Sequence, residues 1–140
     1  MNVRLMIIAF VLASLTGAGA AWACSCILPE SAVAQFDRSD LIFVGRAVRT
    51  VAEAGQPAHA ERKVTRFEVV RTLKGGARQV RRIAHPGGSS AGCGISFRAG
   101  ETYLVLAEAY QGRLATSLCQ QPFFERAEYD RIAERRAAAP

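Results

Sequence analysis

The chain has 140 residues and a net charge of +6, with 18 Lys and Arg against 12 Asp and Glu. This length suits one domain with a modest core and hardly two domains. The basic balance fits either a polyanionic partner or an ordinary solvated face. A nucleic-acid groove is not expected, because base stacking would need several aromatic side chains and only Phe67 lies among the central arginines.

The first segment has the pattern of an export signal. A short positive start at residues 2–4 is followed by an apolar run over residues 5–15, and Ala21-Trp22-Ala23 has the small-x-small pattern that signal peptidase recognises. The run is too short to span a bilayer. We therefore predict a signal peptide over residues 1–23, a domain over residues 24–140 and a secreted or periplasmic location. A lipoprotein signal is the alternative, because Cys24 follows the cut directly, although Trp22 is bulky for that pattern.

Four cysteines follow the predicted cut, namely Cys24, Cys26, Cys93 and Cys119. An even count in an oxidising compartment predicts two disulfides. A bond between Cys24 and Cys26 would close a strained ring. Two pairing schemes remain. One joins Cys24 to Cys93 and Cys26 to Cys119, and the crossed alternative joins Cys24 to Cys119 and Cys26 to Cys93. Either one ties the start of the exported chain to distant segments.

The first predicted element is a short helix opened by Pro29, in which Ala32, Val33 and Phe36 share one face. Apolar and alternating patterns then predict strands over residues 41–51, 63–73, 79–84, 101–108 and 113–119. A polar hairpin connection covers residues 52–61, and a loop rich in Gly and Ser covers residues 85–94.

A final helix is predicted over residues 123–136, with Phe123 and Phe124 anchoring its start. Tyr129, Ile132 and Ala133 recur at i, i+3 and i+4, so they form a narrow apolar stripe that packs on the sheet. Five strands with a helix near each end predict a mainly β fold, a closed barrel of the oligonucleotide-binding type. Composition alone does not separate this barrel from a small sandwich.

No residue pattern indicates an enzyme or a cofactor. A nucleophile elbow, a phosphate loop and a carboxylate pair are all missing from the sequence. A redox role for Cys24 and Cys26 lacks the surrounding βαβ pattern of thioredoxin-like proteins, and two distant cysteines are available as structural partners. His59 and His85 fall in separate predicted loops without the spacing of metal ligands, and we interpret both as solvated surface residues.

Several segments together resemble a known family, the tissue inhibitors of metalloproteinases, in their N-terminal, netrin-like domain. The likeness lies in a Cys-x-Cys directly after the signal cut, a short helix after a proline, and two later cysteines in this order. The matching segments are Cys24-Ser25-Cys26, Pro29, Ser39-Asp40-Leu41, Phe43-Val44-Gly45, Thr72-Leu73-Lys74-Gly75, Cys93-Gly94 and Cys119. The chain would be a bacterial-type, single-domain relative.

The resemblance implies a pairing, a function and a set of contact residues. It implies disulfides Cys24 to Cys93 and Cys26 to Cys119, and inhibition of a zinc metalloproteinase whose catalytic zinc is bound by the main-chain nitrogen and oxygen of Cys24. Ser25 would enter the primed-side pocket and Ile27 would extend the contact. The loop Ser90-Ala91-Gly92-Cys93 would lie on the other side of the cleft.

The alternative is a non-inhibitory, netrin-like binding module for a protein or a polyanion. A polyanion would use the arginines of the central third, which are Arg62, Arg66, Arg71, Arg78, Arg81 and Arg82. An ordinary solvated barrel face is the competing interpretation of these arginines. We expect a monomer in either case.

Overall fold

The structure is a computed structural model that describes residues 24–55 and 61–139. The predicted signal peptide and half of the predicted hairpin connection, residues 56–60 with His59, lie outside these ranges. The elements in chain order are α1 (Ala32–Arg38), β1 (Leu41–Ala52), β2 (Arg62–Lys74), β3 (Val80–Pro86), β4 (Thr102–Tyr110), β5 (Arg113–Ala115) and α2 (Arg126–Ala138). Two 3-10 turns, Ser90–Gly92 and Leu118–Gln120, follow β3 and β5.

The five strands form one sheet that closes on itself as a barrel, in the order β1-β2-β3-β5-β4. β1 pairs antiparallel with both β2 and β4, and β2 pairs antiparallel with β3. The ring closes through one parallel bridge, between Ala84 of β3 and Ala115 of β5. The prediction of a mainly β fold with five strands and a helix near each end is confirmed.

Two apolar clusters hold the fold, one on each face of β1. Phe43, Phe67 and Phe97 fill the barrel interior with edge-to-face ring contacts. Ile42 points the other way, toward the two helices, and packs with Phe36 of α1 and Tyr129 of α2. Because neighbouring strand residues face opposite sides, β1 needs an unbroken apolar run where both of its faces are covered.

Helix α1 buries a different set of residues from the predicted one. Ala32 and Phe36 are buried, but Val33 is 41% exposed and the third buried residue is Gln35. The Gln35 amide donates to the Gln121 carbonyl at 2.8 Å and accepts a hydrogen bond from the Tyr129 hydroxyl. A buried amide is tolerated when its polar atoms find partners. Gln35 thereby links α1 to the segment that leads into α2.

The predicted end of the last strand is wrong. The last strand ends at Ala115, and Cys119 lies in the 3-10 turn Leu118–Gln120 and not on a strand. The backbone N–H of Thr116 donates to the Ala84 carbonyl at 2.9 Å, whereas the backbone N–H of Leu118 donates to the Cys93 carbonyl at 3.3 Å. The chain leaves the sheet here because its backbone partner changes from β3 to the loop that carries Cys93.

Helix α2 begins at Arg126, three residues later than predicted. Tyr129 and Ile132 are buried and Ala133 is half-buried, so the narrow apolar stripe is confirmed. Phe124 packs against the same cluster, whereas Phe123 is 40% exposed. Only one of the two phenylalanines anchors the helix start.

His85 is not a surface residue. β3 extends through Pro86, so His85 lies on a strand and is only 3% exposed. Its Nε2 lies 2.8 Å from the Thr65 hydroxyl, which lies 2.7 Å from the Thr50 hydroxyl, and its ring meets Phe97 edge to face. Burial disfavours the charged imidazole and lowers the pKa of His85 below its usual value.

Acidification is expected to destabilise the fold through His85. The unfolded chain takes up this proton near the ordinary histidine pKa of about 6.5, before the folded chain does, so the free energy of unfolding should fall as the pH drops below about 6.5. The fall should end once the pH is below the lowered pKa. Urea unfolding midpoints across this range would measure it. His85→Gln should remove this pH dependence of the free energy of unfolding. The same pH dependence in both proteins would contradict its assignment to His85.

Candidate functional site

Two disulfides hold the segment that begins at Cys24. Cys24 is bonded to Cys93 and Cys26 to Cys119, with Cα atoms 5.2 Å apart in each pair. The pairing that the resemblance implied is therefore present, and the crossed pairing is wrong. No described cysteine is free.

The two disulfides lie side by side. The sulfurs of Cys24 and Cys119 are 3.7 Å apart, and the sulfurs of Cys24, Cys93 and Cys119 lie within 4.8 Å of one another. This spacing resembles that of a metal centre, but disulfide sulfurs carry no thiolate to bind a metal. The cluster instead joins three distant segments, the start of the described chain and two later loops, at one point.

The residues beside these bonds form an exposed apolar edge. Ser25 is exposed, Ile27 is 88% exposed and Leu28 is 66% exposed. Isolated apolar residues on a surface are ordinary. Here two large ones are adjacent, on an irregular segment that covalent bonds hold in place. Leu28 was not among the predicted contact residues, although the apolar pair directly before Pro29 is visible in the sequence.

The loop with Cys93 lies beside this edge, as the resemblance implied. Ser90, Ala91 and Gly92 form the 3-10 turn, and Cys93 follows it in the left-handed conformation, with φ of 60°. Gly94 is buried so tightly that a Cβ atom would overlap the Gly87 carbonyl. The disulfide and this close backbone contact fix the loop relative to Cys24.

A groove borders the edge and was not predicted. Its volume is about 340 Å³. Arg38 and Glu108 form an ion pair of 3.5 Å on its wall. The lining residues are Ser25, Cys26, Ile27, Arg38, Glu108, Ser117, Cys119 and Gln120. The exposed side chains thus stand next to a concave surface and not on a flat one.

The six central arginines do not share one face. Arg71 forms an ion pair with Asp130, and the half-buried Arg81 donates to the Gly76 carbonyl. Arg62 lines a separate cavity beside His85. Only Arg66 and Arg82 lie directly opposite each other on neighbouring strands. The six arginines therefore do not form one continuous basic patch, and a polyanionic partner stays a prediction.

The fold and site together define a disulfide-linked β domain with a covalently fixed, exposed edge. Two disulfides are typical of an oxidising compartment outside the cytoplasm. Across residues 24–55 and 61–139, no helix is long and apolar enough to cross a membrane. No family model matches the chain, and no curated protein matches its sequence.

Proposed function

We propose that this protein is a secreted or periplasmic inhibitor of zinc metalloendopeptidases with a netrin-like barrel of the oligonucleotide-binding type. The observation that carries the proposal is the position of Cys24, which a disulfide to Cys93 holds at an exposed edge. The strand order, with β3 and β5 parallel in an otherwise antiparallel barrel, supports the fold assignment.

The inhibitory chemistry needs a free amine on Cys24, and hence cleavage after Ala23. A catalytic zinc keeps one coordination position open for water or substrate. The α-amino nitrogen and the carbonyl oxygen of Cys24 would form a five-membered chelate ring and displace that water. The amine has an ordinary pKa of about 7.7 to 8.0, so losing its proton costs little near neutral pH.

Neighbouring residues supply the rest of the contact. Ser25 and Ile27 are exposed and follow the chelating residue, which suits side chains that enter the primed side of a protease cleft. Ser90 and Gly92 are exposed on the adjoining loop, which suits contact on the other side. Because disulfides already order these segments, little conformational entropy opposes binding.

The test is inhibition of a panel of zinc endopeptidases by the exported protein, once N-terminal sequencing and intact mass show that the chain begins at an unmodified Cys24. One Ala added before Cys24 should weaken inhibition at least about tenfold, since it moves the amine away from the metal. One Ala added after Pro140 is the matched control and should leave inhibition unchanged.

Three results would contradict the proposal. Equal inhibition by the blocked and free forms would exclude chelation by the amine. A diacylglyceryl mass on Cys24 would show a lipoprotein whose amine and thiol are both consumed. No inhibition across the panel would favour the alternative function, a non-inhibitory extracellular module that binds a protein or a polyanion.

A further inference from the structure

Three arginines form a row across the outer face of the barrel. Arg49 in β1 lies opposite Arg66 in β2, and Arg66 lies opposite Arg82 in β3. Residues directly opposed on antiparallel strands point to the same face. All three side chains are exposed. We call this set the arginine row, and it shares no residue with the edge around Cys24.

A β-bulge turns Arg49 into the row. Ala47 pairs with Phe67 and Arg49 pairs with Arg66, so Val48 is an extra residue in β1. Ala47 lies in the barrel core. Strict alternation from Ala47 would place Arg49 on the inner face as well. The extra residue returns Arg49 to the outside, which is a recurrent use of bulges.

The arginine row lies in a shallow groove with an aliphatic floor. The groove has a volume of about 380 Å³ and is lined by the row together with Val48, Val51 and Val64. None of the three arginines forms an ion pair within the described part of the chain. The nearby carboxylate of Glu68 is held by Arg46 at 2.6 Å. The groove therefore presents concentrated positive charge.

The row is unfavourable for the isolated fold. Like charges placed directly opposite on paired strands destabilise a sheet. Neighbouring strands are about 4.8 Å apart, so the row carries three cationic groups at regular steps over about 10 Å. An extended ligand with repeated negative groups would relieve this repulsion at each step.

We propose that the arginine row binds an acidic polysaccharide, a chain of sugars that carry carboxylate or sulfate groups. The guanidinium group binds such oxyanions with two parallel hydrogen bonds. The valine floor suits the apolar faces of sugar rings. Among residues 24–55 and 61–139, no aromatic side chain lines the groove, so none of them would stack there on nucleic-acid bases. The inference is independent of the inhibitory edge and stands if that proposal fails.

The first test compares two variants with equal loss of charge. One carries Arg49→Gln, Arg66→Gln and Arg82→Gln. The control carries Arg78→Gln, Arg131→Gln and Arg135→Gln, at sites that are exposed and, among residues 24–55 and 61–139, without ion pairs. Thermal unfolding verifies that both remain folded. Binding to dextran sulfate and to polygalacturonate is then measured by calorimetry, with neutral dextran as the uncharged probe.

The row variant should lose at least about tenfold in affinity for whichever acidic glycan binds, and the control less than about threefold. A preference for dextran sulfate would identify sulfate as the recognised group, and a preference for polygalacturonate would identify carboxylate. Equal losses in both variants would overturn the proposal, since they would reflect net charge alone. Equal binding of neutral dextran, or tighter binding of single-stranded DNA, would also overturn it.

The second test uses the unmodified protein, so it does not depend on the folding of variants. Phenylglyoxal reacts with accessible arginines, and mass mapping locates the products. Bound dextran sulfate or polygalacturonate should protect Arg49, Arg66 and Arg82 and leave Arg131 and Arg135 reactive. Protection that is absent, or that is equal at all five positions, would contradict a site at the row.

Discussion

Replacing Cys26 and Cys119 together with Ala is expected to lower the free energy of unfolding by about 3 to 4 kcal/mol. With the Cys24–Cys93 bond intact, the second bond closes an effective loop of about 28 residues, so it further restricts the unfolded chain. Few non-covalent contacts would replace it, because Ile27 and Leu28 are largely exposed. Urea unfolding of the two proteins measures the difference, with the slope of each transition as a check on two-state behaviour.

The second disulfide provides the matched control for this prediction. With the Cys26–Cys119 bond intact it closes an effective loop of the same size, so replacing Cys24 and Cys93 should cost a similar amount, about 3 to 4 kcal/mol. A loss below about 1 kcal/mol for the Cys26 and Cys119 variant would contradict the entropic argument, since native disulfides in small secreted domains typically contribute more.

The two disulfide variants should differ in function although their stabilities are similar. Without its bond to Cys93, the terminal residue no longer has a fixed position beside the loop at Ser90–Gly92. Without the other bond, Cys24 stays attached to that loop. Under the proposed chelation mechanism, inhibition should therefore suffer more in the first variant than in the second.

Local sequence patterns account for most of the elements. The apolar run of β1, the alternation in β2 and the i, i+3, i+4 stripe of α2 each report which faces are covered, and they predicted these elements within a few residues. Val33 and Gln35 could not be assigned in this way. Gln35 can be buried because its side-chain amide donates to the carbonyl of Gln121, a residue far along the chain that no local pattern connects to α1.

The surface features could be located only once the register of the paired strands was known. Arg49 joins Arg66 and Arg82 only because Val48 is an extra residue in β1, and no residue type announces that bulge. Burial of His85 likewise depends on a partner on another strand, the Thr65 hydroxyl. The cysteine count predicted two disulfides, whereas the choice between the two remaining pairings came from the family resemblance and from the structure.

Phe67→Ala is expected to lower the free energy of unfolding by about 3 to 5 kcal/mol, the usual cost of removing a buried phenylalanine. Phe67 is fully buried, and its ring centroid lies 5.5 Å from that of Phe43 and 5.0 Å from that of Phe97. The cavity would open at the centre of the barrel, where rings from three segments meet and closed packing restricts their movement. Chemical denaturation of the variant measures the loss.

Val70 on the same strand provides the matched control. It is 67% exposed, so Val70→Ala should change stability by less than about 0.5 kcal/mol. Similar losses for both variants would mean that the Phe67 ring does not lie in a packed core.

Small domains have about 5 to 15 kcal/mol of total stability, so the oxidised Phe67→Ala protein can remain folded. The disulfides restrict mainly the unfolded chain, whereas the Phe67 ring packs in the folded core. The losses in free energy of unfolding on reducing the disulfides and on removing the ring should therefore nearly add, and the reduced Phe67→Ala protein should be unfolded.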